Sequence, residues 1–122
     1  MDSRPSSTKL KVLVVDDEEE ICALLRFEFE HAGLEVTTAG SVAEARNRLQ
    51  ADRFDLLLTD IGLPDGSGLE ILEAARKVVP RVFLMTAQAK ITLDEAIARG
   101  ARKLYAKPFD FARTAREIIA TT

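Results

Sequence analysis

The sequence predicts an α/β fold, a doubly wound sheet of five parallel strands flanked by five helices. Short runs rich in Val and Leu alternate with helix-like segments along the chain, and such runs are typical of parallel strands buried on both faces. Ser, Thr, Gly and Pro residues at capping positions separate these segments. The 122 residues suit one domain with a single hydrophobic core.

Five apolar runs predict the strands. The first, third and fourth runs are nearly continuous, whereas the second is weaker because Val36 is its main apolar residue. Parallel strands joined by helices are expected to have right-handed crossovers. The predicted strands are Lys9–Val15, Glu35–Thr38, Phe54–Thr59, Arg81–Met85 and Lys103–Tyr105.

Capping residues mark the ends of the helices. Segments beginning at Ser41, Ser67 and Thr92 have the Ser/Thr-x-x-Glu pattern of a capping box. Gly33 suits the C-cap of the first helix, and Pro80 disfavours helix in the residue before it. Apart from the fourth, the predicted helices are Glu18–Ala32, a segment from Ser41, Ser67 to near Pro80, and Asp110–Ala120.

The fourth helix has two possible starts. It begins either at the Thr92 capping box, which leaves Ala87–Ile91 as a loop, or soon after Thr86. In both cases it ends at Gly100.

The composition argues against several classes of protein. A net charge of −3 gives no footprint for nucleic acid, and no apolar run approaches the ~20 residues that span a bilayer. No signal-peptide pattern is present, and the single cysteine, Cys22, fits a reducing cytosol. We therefore expect a cytoplasmic protein that binds neither membrane nor nucleic acid directly. Residues 1–8 are polar and predicted to be a disordered tail before a domain at 9–122.

Polar side chains gather where the predicted strands end. Asp16 and Asp17 follow the first strand, and Asp60 follows the third. The carboxyl ends of parallel strands meet at one edge, so these carboxylates should converge there, where they would repel one another unless a cation intervenes. Oxygen ligands suit Mg²⁺. Thr86 and Lys107, at the ends of the fourth and fifth strands, could donate to the oxygens of a phosphoryl group beyond the metal.

Together these segments resemble the receiver domain of two-component response regulators. The matching segments are Val14-Val15-Asp16-Asp17-Glu18, Leu58 to Gly68, Met85-Thr86-Ala87, Gly100-Ala101 and Lys107-Pro108-Phe109. Each is weak alone, but all five occur in order at strand ends, and the match runs from about Lys9 to Ala120. The resemblance implies a flavodoxin-like sheet with strand order 2-1-3-4-5.

The resemblance also implies a phosphoacceptor site. Asp60 would take a phosphoryl group from the phosphohistidine of a histidine kinase or a histidine phosphotransfer protein. Asp17, Asp60 and the backbone carbonyl of Gly62 would ligate Mg²⁺ directly, while Asp16 would act mainly through a metal-bound water.

Three further positions complete the resemblance, and one departs from it. Thr86 would bond a phosphoryl oxygen, and Lys107 would pair with Asp60 before phosphorylation and with the phosphoryl group afterwards. A cis peptide is expected before Pro108. The family often places an aromatic switch residue three positions before the lysine, but here that residue is Leu104. The aromatic, Tyr105, comes one residue later and should face the other side of the sheet.

Three functional hypotheses follow. The first is a phosphorylatable signalling switch, not an enzyme, whose fourth helix, fifth strand and fifth helix contact an output partner and could form a homodimer. The second is a receiver-like module that serves only for interaction or dimerisation, against which the full set of polar residues argues. The third, a nucleotide- or flavin-binding enzyme, lacks the Gly-x-Gly-x-x-Gly fingerprint after the first strand. The sequence leaves open whether the chain acts alone or belongs to a longer regulator.

Overall fold

The computed structural model describes residues 9–88 and 91–122, and its centre is a five-stranded parallel sheet. The strands are β1 (Lys11–Val15), β2 (Glu35–Ala39), β3 (Leu56–Asp60), β4 (Arg81–Thr86) and β5 (Lys103–Ala106). Their order across the sheet is β2-β1-β3-β4-β5, and every neighbouring pair is parallel. The predicted fold class and strand order are therefore confirmed. The predicted tail at 1–8 lies outside the described residues.

Five helices cover the two faces of the sheet. They are α1 (Glu19–His31), α2 (Val42–Ala51), α3 (Gly68–Ala75), α4 (Leu93–Ala98) and α5 (Phe111–Ala120). Helices α1 and α5 pack over Val14 and Phe83 on one face, and α2, α3 and α4 pack over Leu13 and Leu84 on the other. Because both faces are buried at the centre of the sheet, β1, β3 and β4 are apolar at most positions, whereas the edge strands β2 and β5 are less buried. No helix in the described part of the chain has the length and apolarity to cross a bilayer.

The strand ends differ slightly from the prediction. β1 begins at Lys11 rather than Lys9 because β2 and β3 start opposite Lys11 and Val12, so the two preceding residues have no paired strand beside them. The other four strands each end one residue later than predicted. Backbone pairing, such as Asp60 opposite Met85, continues past the apolar run because ladder hydrogen bonds do not require apolar side chains.

The prediction of α3 was too long. The helix ends at Ala75, well before Pro80, and the chain turns through the next three residues. Val78 and Val79 are β-branched, and a residue that precedes proline is pushed out of the helical region, so both effects favour an early end.

The capping boxes at Ser67 and Thr92 are both present. The second of them shows that α4 starts after Thr92, since Ala87, Gln88 and Ile91 are not helical; residues 89–90 lie outside the described chain.

The capping box predicted at Ser41 is only half formed. The Ser41 hydroxyl accepts from the Glu44 amide at 3.1 Å. The Glu44 carboxylate reaches back one residue further than in a capping box and accepts from the amide of Gly40 at 2.8 Å.

A small ribbon that the sequence did not predict separates β3 from α3. Gly62–Leu63 pairs antiparallel with Gly66–Ser67, and the Pro64–Asp65 turn joins them. Proline at the second position and glycine at the fourth position suit a four-residue turn. The segment was predicted as a simple loop, because two-residue strands leave no periodic pattern in a sequence.

Gly68, the first residue of α3, lies directly against the end of β3. Its amide donates to the Ile61 carbonyl at 2.8 Å, and a Cβ atom at this position would overlap the carbonyl oxygen of Asp60. Only glycine therefore allows α3 to start this close to Asp60.

We expect Gly68→Ala to lower the free energy of unfolding by about 1–3 kcal/mol, because the added methyl group meets backbone that cannot move freely. Gly62→Ala is the matched control, since a Cβ there meets nothing within 4 Å. Urea unfolding of the two variants measures the difference. Equal stabilities would contradict the close approach of α3 to β3.

Candidate functional site

The carboxyl ends of four strands bring the predicted site residues to one rim. Asp16 and Asp17 follow β1, Asp60 is the last residue of β3, Thr86 is the last residue of β4, and Lys107 follows β5. β1 and β3 are neighbours, so the acidic residues come from adjacent strands. Contacts of the Lys107 ammonium link the end of β5 to this acidic group.

The three aspartates form a compact group of oxygen ligands. One carboxylate oxygen from each of Asp16, Asp17 and Asp60 lies within 4.8 Å of the other two. Asp16 and Asp60 are 2% and 6% exposed, whereas Asp17 is open to solvent. Three anionic oxygens with one open side fit a divalent cation such as Mg²⁺, which prefers oxygen ligands and retains some of its waters.

The Lys107 ammonium is the positive charge of this group. Its Nζ lies 2.6 Å from Asp16 Oδ2, 3.3 Å from Asp60 Oδ2 and 3.4 Å from Glu18 Oε2, and the side chain is only 9% exposed. The peptide bond before Pro108 is cis. The resemblance implied Asp60 as the partner of the lysine, but the shorter contact is with Asp16.

The electrostatics of the site balance burial against charge. Burial raises the pKa of Asp60, and the nearby Asp16 carboxylate raises it further, while Lys107 pulls it down. Burial alone would lower the pKa of Lys107, but its hydrogen bond and attraction to Asp16, together with Asp60, raise it overall. Lys107 therefore stays charged and offsets part of the repulsion between the two buried carboxylates.

Asp16 is held by contacts on its backbone and on its carboxylate. Its amide donates to the Ala39 carbonyl at 3.0 Å, and its Oδ1 accepts from the Glu18 amide at 2.9 Å. The Cys22 thiol donates to the Asp16 carbonyl at 3.3 Å. Burial, and then Asp16, raises the pKa of Cys22 to about 11, which keeps the thiol protonated as a donor. The sequence carried no signal for this contact, because it depends on how α1 packs against the β1 end.

Thr86 is turned towards its own loop. Its hydroxyl donates to the Gln88 carbonyl at 2.9 Å and accepts from the Gln88 amide at 3.0 Å. A cavity of about 340 Å³ lies between Asp60, Gly62, Thr86 and Gln88, with Ile91 on its apolar side. Asp60 and Thr86 therefore border the same cavity.

Tyr105 and Leu104 occupy opposite faces of the sheet. Tyr105 packs among Phe83 and Phe109, with ring centroids 6.5 and 5.9 Å away, and its hydroxyl donates to Glu117 Oε1 at 3.3 Å. Leu104 packs on the face covered by α2, α3 and α4. Along β4, Met85 lies on the face of Tyr105, so alternation puts Thr86 on the face of Leu104.

Tyr105 is the only tyrosine and the chain has no tryptophan, so phenolate absorbance reports this one side chain. Burial and the Glu117 carboxylate raise the pKa of Tyr105 to about 12, so the folded protein should titrate near pH 12. The unfolded chain should titrate near the usual value of about 10. The unfolded state then loses its proton first, and the free energy of unfolding should fall as the pH rises from about 10 to 12.

Glu117→Gln should lower the Tyr105 midpoint without returning it to the unfolded value, because burial is the larger cause. A folded midpoint equal to that of the urea-unfolded chain would contradict this environment for the phenol.

Lys107→Ala should leave two buried carboxylates without their counter-charge. We expect the free energy of unfolding in EDTA to fall by about 3 kcal/mol, as for other buried charges that lose a partner. Lys107→Arg keeps the charge and is the control. If the alanine variant unfolds at the same urea concentration as the arginine variant, Lys107 does not balance the carboxylates.

Comparison with known proteins agrees with this geometry. The model of the family described as "Response regulator receiver domain" matches residues 12–119. The response regulator protein PilR of Pseudomonas aeruginosa is 38% identical over 117 residues, which cover 93% of this chain and 26% of PilR. Among eight curated relatives that it matches, the chain spans between 21% and 49% of their length.

Two solved structures of response regulators share the fold. The Thermotoga maritima protein TrrA, in complex with Mg(2+)-BeF, has a TM-score of 0.80 and 30% identity, and the match covers 93% of this chain and 99% of TrrA. A Burkholderia pseudomallei response regulator with a phosphorylated aspartic acid, calcium ion and citrate has a TM-score of 0.79 and 28% identity, covering 93% and 72%. The matched family model and the identity to PilR show that this chain belongs to the response regulator receiver domain family of two-component signalling.

Proposed function

We propose that this chain is a phosphoacceptor switch in which Asp60 takes a phosphoryl group from the phosphohistidine of a histidine kinase or a histidine phosphotransfer protein. The observation that supports it most is the setting of Asp60. This carboxylate is nearly buried, contacts Lys107, lies near Asp16, and borders a cavity of about 340 Å³.

A Mg²⁺ ion belongs to this proposal. Asp17, Asp60 and the backbone carbonyl of Gly62 would hold it directly, and Asp16 would hold it through a water. When bound, the ion supplies positive charge that neutralises the phosphoryl oxygens during transfer. The grouping of three carboxylate oxygens within 4.8 Å supports this assignment, as does the Mg(2+)-BeF complex of the Thermotoga relative.

Each protein group has a defined part in the transfer. A carboxylate oxygen of Asp60 forms an O–P bond while the P–N bond of the donor breaks, and the electron pair returns to the imidazole nitrogen. The Lys107 ammonium, already 3.3 Å from Asp60, donates to a phosphoryl oxygen. The Thr86 hydroxyl would give up its hydrogen bonds to Gln88 and donate to a second phosphoryl oxygen. Rotation of the Thr86 side chain would therefore follow the arrival of the phosphoryl group.

The acyl phosphate would change partner binding, not release a product to solution, so the chain acts as a switch and not as an enzyme. α4, β5 and α5 form the surface that would contact an output partner or a second copy, and Leu93 and Ile97 expose apolar side chains on α4. The proposed receiver domain is residues 9–122, in the cytoplasm. A module used only for interaction is less favoured, because it has no need of a buried acceptor with a paired lysine.

Incubation with acetyl phosphate and Mg²⁺ should add one phosphoryl group per chain, and EDTA should prevent it. Asp60→Asn should abolish labelling because the amide lacks a nucleophilic carboxylate, whereas Asp94→Asn, an exposed acid on α4, should label as the wild type does. Intact-protein mass spectrometry measures the added mass. Labelling that persists in Asp60→Asn would refute the assignment of the acceptor.

A further inference from the structure

The ribbon next to the acceptor is tied to the N-terminus of α2. Asp65, at its tip, accepts from the Val42 amide at 2.7 Å through Oδ1 and from the Ala43 amide at 3.0 Å through Oδ2. These amides belong to the first turn of α2, whose N–H groups have no partner inside the helix. The Ser41 hydroxyl accepts from the next amide, that of Glu44. The start of α2 therefore has two caps, the local Ser41 hydroxyl and the Asp65 carboxylate of the ribbon.

The contact between the ribbon and α2 is also a close steric one. A Cβ atom on Gly66 would lie 3.2 Å from Cγ2 of Val42 and 2.6 Å from Oε2 of Glu70. Because Gly66 has no side chain, the tip of the ribbon can pack against Val42, the first residue of α2. Asp65 adds two hydrogen bonds, to the amides of Val42 and Ala43.

The other end of the ribbon reaches the acceptor. Gly62, two residues after Asp60, pairs with Ser67 at the base of the ribbon. The backbone of Gly62 lowers the pKa of the nearby Asp60 carboxylate, against the larger effect of burial. At the same base Gly68 packs on the Asp60 carbonyl. A displacement of the ribbon tip would therefore also shift the backbone beside Asp60.

We propose that Asp65 is a positioning residue that couples occupancy of the acceptor site to the N-terminus of α2. The inference rests on the proposed function, since it assumes that Mg²⁺ binds at Asp17, Asp60 and the Gly62 carbonyl. By holding the ribbon against α2, Asp65 keeps the Gly62 backbone in its place beside Asp60. α2 then offers a route from the site to the surface on the face opposite Tyr105.

Thermodynamic linkage makes this coupling reciprocal. If the contact between Asp65 and α2 strengthens Mg²⁺ binding, then Mg²⁺ must strengthen that contact by the same factor. A purely structural cap would stabilise α2 equally with and without the ion. The two possibilities therefore differ in Mg²⁺ affinity and in the protection of two particular amides.

The experiment compares Asp65→Ala with Ser41→Ala, which removes the local cap of the same helix without touching the ribbon. Both variants should lower the thermal midpoint of the metal-free protein. Only Asp65→Ala should weaken Mg²⁺ binding, by about fivefold, the lower end of common coupling strengths. Mg²⁺ titrations followed by NMR give the affinities. In the wild type, Mg²⁺ should slow hydrogen exchange of the Val42 and Ala43 amides by a similar factor.

The outcomes separate this inference from the proposed function. If Asp65→Ala binds Mg²⁺ as tightly as the wild type, or weakens it no more than Ser41→Ala does, the coupling is refuted while the acceptor site stands. If the wild type binds no Mg²⁺ and takes no phosphoryl group from acetyl phosphate, the proposed function itself fails. Should Asp65→Ala not fold, Asp65→Asn replaces one of the two acceptor oxygens by an NH2 group that cannot accept, so it should also weaken Mg²⁺ binding, and an unchanged affinity in that variant would contradict the coupling.

Discussion

The structure depends on one electrostatic constraint, the crowding of carboxylates at the carboxyl ends of β1 and β3. Asp16 and Asp60 are both buried, and each carries a charge that the interior disfavours. Lys107 satisfies both by reaching across from the end of β5, with 2.6 Å and 3.3 Å contacts. One ammonium offsets only part of this negative charge, so the crowding of carboxylates favours a further cation beside them.

The apolar core fixes where these charges stand. Two buried clusters, one on each face of the sheet, hold the strands in register and so hold their ends in register. Backbone contacts finish the placement: Ala39 and Cys22 hold the main chain of Asp16, and Gly68 packs against that of Asp60. Asp60 is the last residue of a strand paired with its neighbour, whereas the Thr86 hydroxyl bonds to Gln88 in its own loop.

Much of the site could be predicted because its residues lie at strand ends, and the place of a strand end in the sheet follows from its place in the sequence. Each functional side chain follows an apolar run, and parallel strands deliver their ends to one edge. The contacts that were missed follow no such rule. Cys22 reaches Asp16, and Asp65 reaches the amides of α2 from the ribbon, only because separate elements pack side by side. The early end of α3 was missed for a local reason. Val78 and Val79 are weak helix formers before Pro80, so the sequence pattern did not fix the residue at which the helix ends.

The sequence by itself determined the fold class, the order of strands and helices, and the identity of the polar residues at the rim. Apolar periodicity and capping chemistry act over a few residues, so they can be interpreted without a structure. Tertiary structure alone decided that Lys107 lies nearer to Asp16 than to Asp60, and that the ribbon between β3 and α3 caps α2. These outcomes depend on distances between elements far apart in the chain, which packing sets.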